Sequence, residues 1–173
     1  RPPRQPPLRA APPPAPLPTS KPRQPVITSA EVAAVRLAAH AAGRPSCALA
    51  YALAYETTLR LWDVIGQWWP IDRGGISEVL SEDGKFKWFG LRWDHIDETM
   101  TLRFKPSKTD GTTGKTVTYP LTMAPMVMEE LVHWPEELRN GPIIVSEESG
   151  LPWANRTLTE RWEADRKAAG LPT

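Results

Sequence analysis

The chain has 173 residues, with 21 Lys and Arg against 20 Asp and Glu, 20 prolines and a single cysteine. One cysteine excludes an internal disulfide framework and suits a reducing compartment, and no apolar run reaches the roughly twenty residues needed to span a bilayer or resembles a signal sequence. A cytoplasmic protein without a membrane partner is therefore expected. The charge is uneven: 11 of the prolines, five bases and no acid fall in residues 1–25, so residues 26–173 carry an excess of acid. That excess argues against the body as a strong nonspecific nucleic-acid binder and leaves any DNA contact to a local basic patch.

Residues 1–25 read as a disordered, basic, proline-rich arm with polyproline II character, because the composition supplies neither helix nor apolar face. From Val26 the texture is that of a folded domain, residues 26–173. Thr28 and Ser29 can cap a helix running to His40, with Val32, Val35, Leu37 and Ala39 as its apolar stripe and Gly43 beyond its end. Ser46 can cap a second helix in which Leu49, Ala52 and Leu53 recur at helical spacing. A third helical stretch, Leu61 to Trp69, should end at Pro70, which has no N–H to continue a ladder.

The stretch from Ile71 to Lys87, rich in Gly, Ser, Asp and Glu, reads as a loop. The period then falls to two: Phe89, Leu91 and Trp93 alternate, then Met100, Leu102 and Phe104, then Val117, Tyr119 and Leu121. Turns at Asp94–Asp97 and Asp110–Gly114 would join these into a three-stranded antiparallel meander. Pro125 to Trp134 fits another helix, with Met126, Met128, Leu131 and Val132 on its buried side. Gly141–Val145 fits a short strand or an apolar anchor. Asn155 can cap a last helix through Trp162 to Ala169, stopped by Gly170 and Pro172. The fold class is α+β: helices with a small three-stranded antiparallel sheet.

Several residue groups point away from other chemistries. Cys47 lies in an apolar, helical context and reads as a buried small hydrophobe. His40, His95 and His133 read as surface or structural residues, because they show no metal-ligating spacing with Cys47 or with carboxylates. Asp110–Lys115 lacks the spacing and the strand-to-helix context of a phosphate loop. The tryptophans at 68, 69, 88 and 93 read as core, and the acid pairs Glu136–Glu137 and Glu147–Glu148 as turns.

What remains is Arg60 with Asp63 in Tyr55–Asp63, the run Gly90–Asp97, and Pro106-Ser-Lys-Thr109 followed by Val117–Leu121. In this order the set resembles the first part of the catalytic domain of tyrosine recombinases, the phage-type integrases. There a helical Arg-x-x-Glu/Asp element precedes a small sheet that carries a lysine in a hairpin. The resemblance implies Arg60 as the clamp on a scissile phosphate, Lys108 as the acid that protonates the leaving 5′-oxygen, and Asp63 as a supporting residue that orients Arg60. It implies contacts to a double-stranded DNA attachment site through Arg103, Lys105 and Lys115, a homo-oligomeric parent, and no metal or other cofactor.

Departures accompany it, among them a longer loop at Ile71–Lys87 and the proline-rich arm where the family has a core-binding helical domain. Thr58 stands where the family has glycine in Thr-Gly-Leu-Arg, and the family's later His-x-x-Arg element and tyrosine nucleophile have no counterpart. A truncated form or fragment of a DNA-integrating parent is expected, one that forms no covalent DNA intermediate by itself. Alternatives are a noncatalytic DNA-binding or regulatory remnant of that fold, or an interaction module presenting Pro12–Pro16 to an aromatic groove.

Overall fold

The structure is a computed structural model that describes residues 27–74, 76–105 and 116–172. The proline-rich arm, Lys108 and Lys115 lie outside the described residues. Helix α1, Ser29–Ala41, begins with a capping box: the Glu31 N–H donates to Thr28 Oγ1 at 3.3 Å, while the Thr28 N–H donates to Glu31 Oε2 at 2.7 Å. Its buried stripe is Val32, Val35, Arg36 and Ala39. Leu37, expected on that stripe, is 70% exposed. Arg36 is buried instead, because a carboxylate on a later helix meets it.

Helix α2, Pro45–Glu56, is buried at every position from Ser46 to Leu53. A helix without a polar face belongs in the middle of a bundle, and α2 packs against α1, the short helix α3 (Leu61–Ile65), α4 (Pro125–Leu131) and α5 (Asn155–Ala168). Ser46 is not the cap. It lies inside the first turn, and the Glu147 carboxylate caps the helix from a distant loop, accepting from Ser46 N–H at 2.7 Å and Ser46 Oγ at 2.9 Å. Glu56, at the far end of α2, accepts from Val127 N–H at 2.9 Å and so caps α4.

The expected helix from Leu61 to Trp69 stops at Ile65. Gly66 has φ +79°, which a side chain would strain, and Trp88 packs where its Cβ would stand. Gln67–Pro70 becomes strand β1, antiparallel to β2, Phe86–Phe89. Strands β3, Thr101–Phe104, and β4, Val117–Pro120, form a second ladder with Thr101 opposite Pro120.

The α+β class with small antiparallel sheets is therefore observed, but among the described residues as two two-stranded ladders rather than one three-stranded meander. The segment holding Leu91 and Trp93 pairs elsewhere: Ile143 N–H donates to Leu91 O at 3.1 Å, and Trp93 N–H to Gly141 O at 2.9 Å. Gly141–Val145 thus anchors that segment, with Ile143 and Ile144 buried beneath it.

Helix α4 is shorter than expected, and its far end reverses the assignment of Val132, which is 79% exposed. Arg139 closes that end, donating to Trp134 O at 2.8 Å and Leu131 O at 3.3 Å. The last helix starts at Asn155, preceded by Ala154 as the capping position, and ends before Gly170 at φ +73°. Among the described residues no helix is long and apolar enough to cross a membrane.

Candidate active site

Arg60 is delivered by a tight turn between α2 and α3. Thr57 is buried; its Oγ1 donates to Leu53 O at 2.5 Å and accepts from Leu59 N–H at 3.4 Å, tying the turn to the last turn of α2. Thr58 then takes φ +55°, a left-handed conformation that costs a β-branched residue free energy and would cost glycine little. Leu59 turns inward, and Arg60 stands extended at the head of α3, exposed to solvent. Asp63, one turn along, is only 2% exposed, with its N–H bonded to Arg60 O at 2.8 Å. One short segment therefore carries an exposed guanidinium and a buried carboxylate.

An open cleft of about 540 Å³ adjoins this turn, lined by Asp63 and Gln67, the β2 residues Trp88 and Phe89, and Arg92, His95 and Lys105. Trp88 is its floor: the indole is buried and its Nε1–H donates to Ile65 O at 2.9 Å, possible because Gly66 and Gly90 leave room for the ring. Arg92 pairs with Asp94 at 3.4 Å. His95 Nδ1 accepts from Arg92 N–H at 3.1 Å, and burial, reinforced by the Arg92 charge and opposed by Asp94, holds its imidazole below the ordinary histidine pKa.

Arg103 and Lys105 are exposed and lie on the face of β3 opposite buried Leu102 and Phe104, as the alternation predicts. Arg103 is held by Asp97 at 3.3 Å, and the same carboxylate accepts from Thr99 N–H and Thr101 N–H at 3.0 Å to shape the turn before β3. Arg103 therefore has a structural partner as well as an exposed face. Lys105 lines the cleft together with Asp63, so the base of the β3–β4 hairpin and the α3 turn open on one concavity. Arg60 is not part of the cleft lining among the described residues. The separation of Arg60 and Lys108 lies outside the described residues.

Two buried charge networks lock the helices around the site. Asp165 on α5, 1% exposed, accepts from Arg44 and from Tyr51 Oη at 2.9 Å. Burial, with the neighbouring Asp165 charge adding to it, raises the Tyr51 phenol pKa, and burial above all pushes the Cys47 thiol up to about 12. Cys47 is thus the inert core residue its context indicates. In the second network Glu130 on α4, 1% exposed, accepts from Arg36 at 2.6 Å and meets His40 Nε2 at 2.7 Å. The His133 ring lies tilted against His40, with ring centroids 4.8 Å apart. The expectation that no histidine has a carboxylate at ligating spacing is corrected here, since Glu130 and His133 lie three positions apart and the fold adds His40 from α1.

Comparison with known proteins places the fold. No family model matches the sequence, and no curated protein matches it. The solved structures similar to it include lambda integrase (residues 75–356) bound to DNA, at 22% identity and TM-score 0.58, covering 90% of this chain and 46% of that one. The lambda integrase catalytic core matches at 22% identity and TM-score 0.54, over 84% of this chain and 70% of that one. A lambda integrase tetramer bound to a Holliday junction matches over 90% of this chain and 37% of that one, at TM-score 0.58. The chain therefore has the fold of the lambda integrase catalytic core and spans about half the length of the DNA-bound form.

Proposed function

We propose that this chain supplies the arginine-and-lysine half of a DNA breaking-and-rejoining site, within a recombinase whose tyrosine nucleophile comes from outside these residues. The observation that carries the reading is the Thr57–Asp63 turn on this fold. Thr58 takes a left-handed backbone, φ +55°, of the kind that glycine favours, and this supports a turn that presents Arg60 to solvent despite the departure from Thr-Gly-Leu-Arg. In the reaction a tyrosine oxygen attacks the scissile phosphorus, the bond to the 5′-oxygen breaks, and a 3′-phosphotyrosyl link forms while the 5′-oxygen takes a proton. Arg60 binds the nonbridging oxygens as negative charge builds on them, with a planar fork of donors that stays ionised. Lys108 donates the proton to the leaving oxygen. Asp63 fixes the head of α3, while Arg103, Lys105 and Lys115 hold flanking phosphates.

The substrate is duplex DNA carrying an attachment site, and synapsis of two duplexes requires several copies of the protein. The test uses the full-length protein that carries this segment and a nicked duplex that traps the covalent adduct. Arg60→Ala should lower adduct formation by about 10²–10³-fold. Lys108→Ala should lower it by about 10²–10⁴-fold, and a sulfur atom in place of the 5′-bridging oxygen, which leaves without a proton, should restore the Lys108 variant but not the Arg60 variant. Full adduct formation by Arg60→Ala, or DNA binding with no adduct from the unaltered protein, would reject the catalytic reading in favour of a DNA-binding remnant.

A further inference from the structure

The cluster joining α1 to α4 has a chemistry that DNA cleavage does not use. His40, Glu130 and His133 bring one ligand atom each to within 4.8 Å of one another. The ligands come from two elements, since His133 lies just beyond α4 and is exposed, whereas Glu130 is buried and His40 half-buried. Two imidazoles and one carboxylate, open to solvent on one side, form a donor set suited to a first-row transition-metal dication with water in the fourth position.

The surroundings match the charge and the orientation that such an ion needs. Arg36 binds Glu130 Oε1 at 2.6 Å and Glu129 Oε2 at 3.0 Å, which fixes the Glu130 carboxylate and leaves Oε2 facing His40. Such an outer partner sets ligand direction in metal sites. Two carboxylates against one guanidinium leave one negative charge, so a dication is not repelled by the site's net charge. The bond it would replace is the 2.7 Å contact between His40 Nε2 and Glu130 Oε2, whose proton would be released to solvent.

We propose that His40, Glu130 and His133 bind Zn²⁺ or a similar dication, which acts as a clamp between α1 and α4. Binding needs His133 to move inward and the 2.7 Å His40–Glu130 contact to open to the roughly 3.3 Å that separates two tetrahedral zinc ligands. The clamp binds the folded chain alone and therefore stabilises it.

The experiment is titration of the untagged, metal-free chain with Zn²⁺ by calorimetry, alongside thermal unfolding with and without the metal. One Zn²⁺ per chain and a raised Tm are expected, with at least about a tenfold loss of affinity in His133→Ala, as for removal of groups that set a metal site. His133 is exposed, so this variant folds, and its metal-free Tm should equal that of the unaltered chain. His95→Ala, outside the cluster, should bind as the unaltered chain does. Absence of Zn²⁺ binding, or binding unchanged by His133→Ala, would overturn the proposal.

Discussion

At the residue scale, Thr58 places a β-branched side chain in the left-handed region. A β-branched residue at φ +55° pays for a conformation that glycine adopts freely, offset in part by glycine's greater loss of entropy on folding. Thr58→Gly should therefore stabilise the chain by about 1 kcal/mol, read as a higher urea midpoint with an unchanged slope. A lowered midpoint would mean that the Thr58 side chain makes interactions worth more than the strain.

Cys47 gives a second test at this scale. Its folded pKa is raised to about 12 from 9.0, so the unfolded chain loses the thiol proton first as pH rises. The sign is destabilising: stability is intact below pH 9 and falls through the window up to about 12, at roughly 1.4 kcal/mol per pH unit. Urea midpoints measured across that range should fall less steeply in Cys47→Ala, with Tyr51 contributing a decline of the same sign in both. The native thiol should also resist alkylation at neutral pH and react after unfolding.

At the element scale, the bundle is organised by side chains that cap helices from far along the chain. Glu147 binds two donors at the start of α2, so Glu147→Ala should cost about 1–2 kcal/mol, the range for losing an N-cap, as measured by urea unfolding. Asp165→Ala should cost more, about 3–5 kcal/mol, because it strands Arg44 in a partly buried setting and also frees Tyr51. A cost no greater than that of Glu147→Ala would show that Arg44 reaches solvent when its partner is removed.

These caps explain which elements were legible in the sequence. Helix α1 was, since its capping box and most of its stripe are local. So was the alternation of Leu102 and Phe104 with Arg103 and Lys105 on β3. The end of α3 was not, because what stops it is the Trp88 ring, 22 positions downstream of Gly66, and only the pairing of β1 with β2 brings the two together. The buried cluster of Arg36, Glu130 and His40 was likewise not legible, since burial of an arginine cannot be recognised until its carboxylate is located on another helix. At the site, the order of Arg60, Asp63 and the hairpin was legible; the left-handed turn at Thr58 and the Trp88 floor were not.

At the scale of the whole molecule, residues 26–173 carry an acidic excess while the arm carries five bases, so under the proposed function the arm supplies a share of the phosphate contacts. Phosphate contacts release counterions, so deleting residues 1–25 should reduce the slope of log K against log salt by up to about four if the arm's bases lie along the duplex. An unchanged slope would confine DNA contact to the folded body. The two ladders and the helix bundle serve one geometric end in this account: they hold the α3 turn and the base of the β3–β4 hairpin beside the same cleft, with Asp63 and Lys105 both on its lining.

In the proposed reaction Arg60 and Lys108, 48 positions apart, act on one phosphodiester. A crystal structure of the full-length protein on its attachment-site duplex measures this directly. The account predicts the Arg60 guanidinium and the Lys108 ammonium each at about 3 Å from oxygens of the same scissile phosphate. Arg60 and Lys108 on opposite faces of the domain, or on different phosphates with no hairpin movement able to unite them, would contradict it.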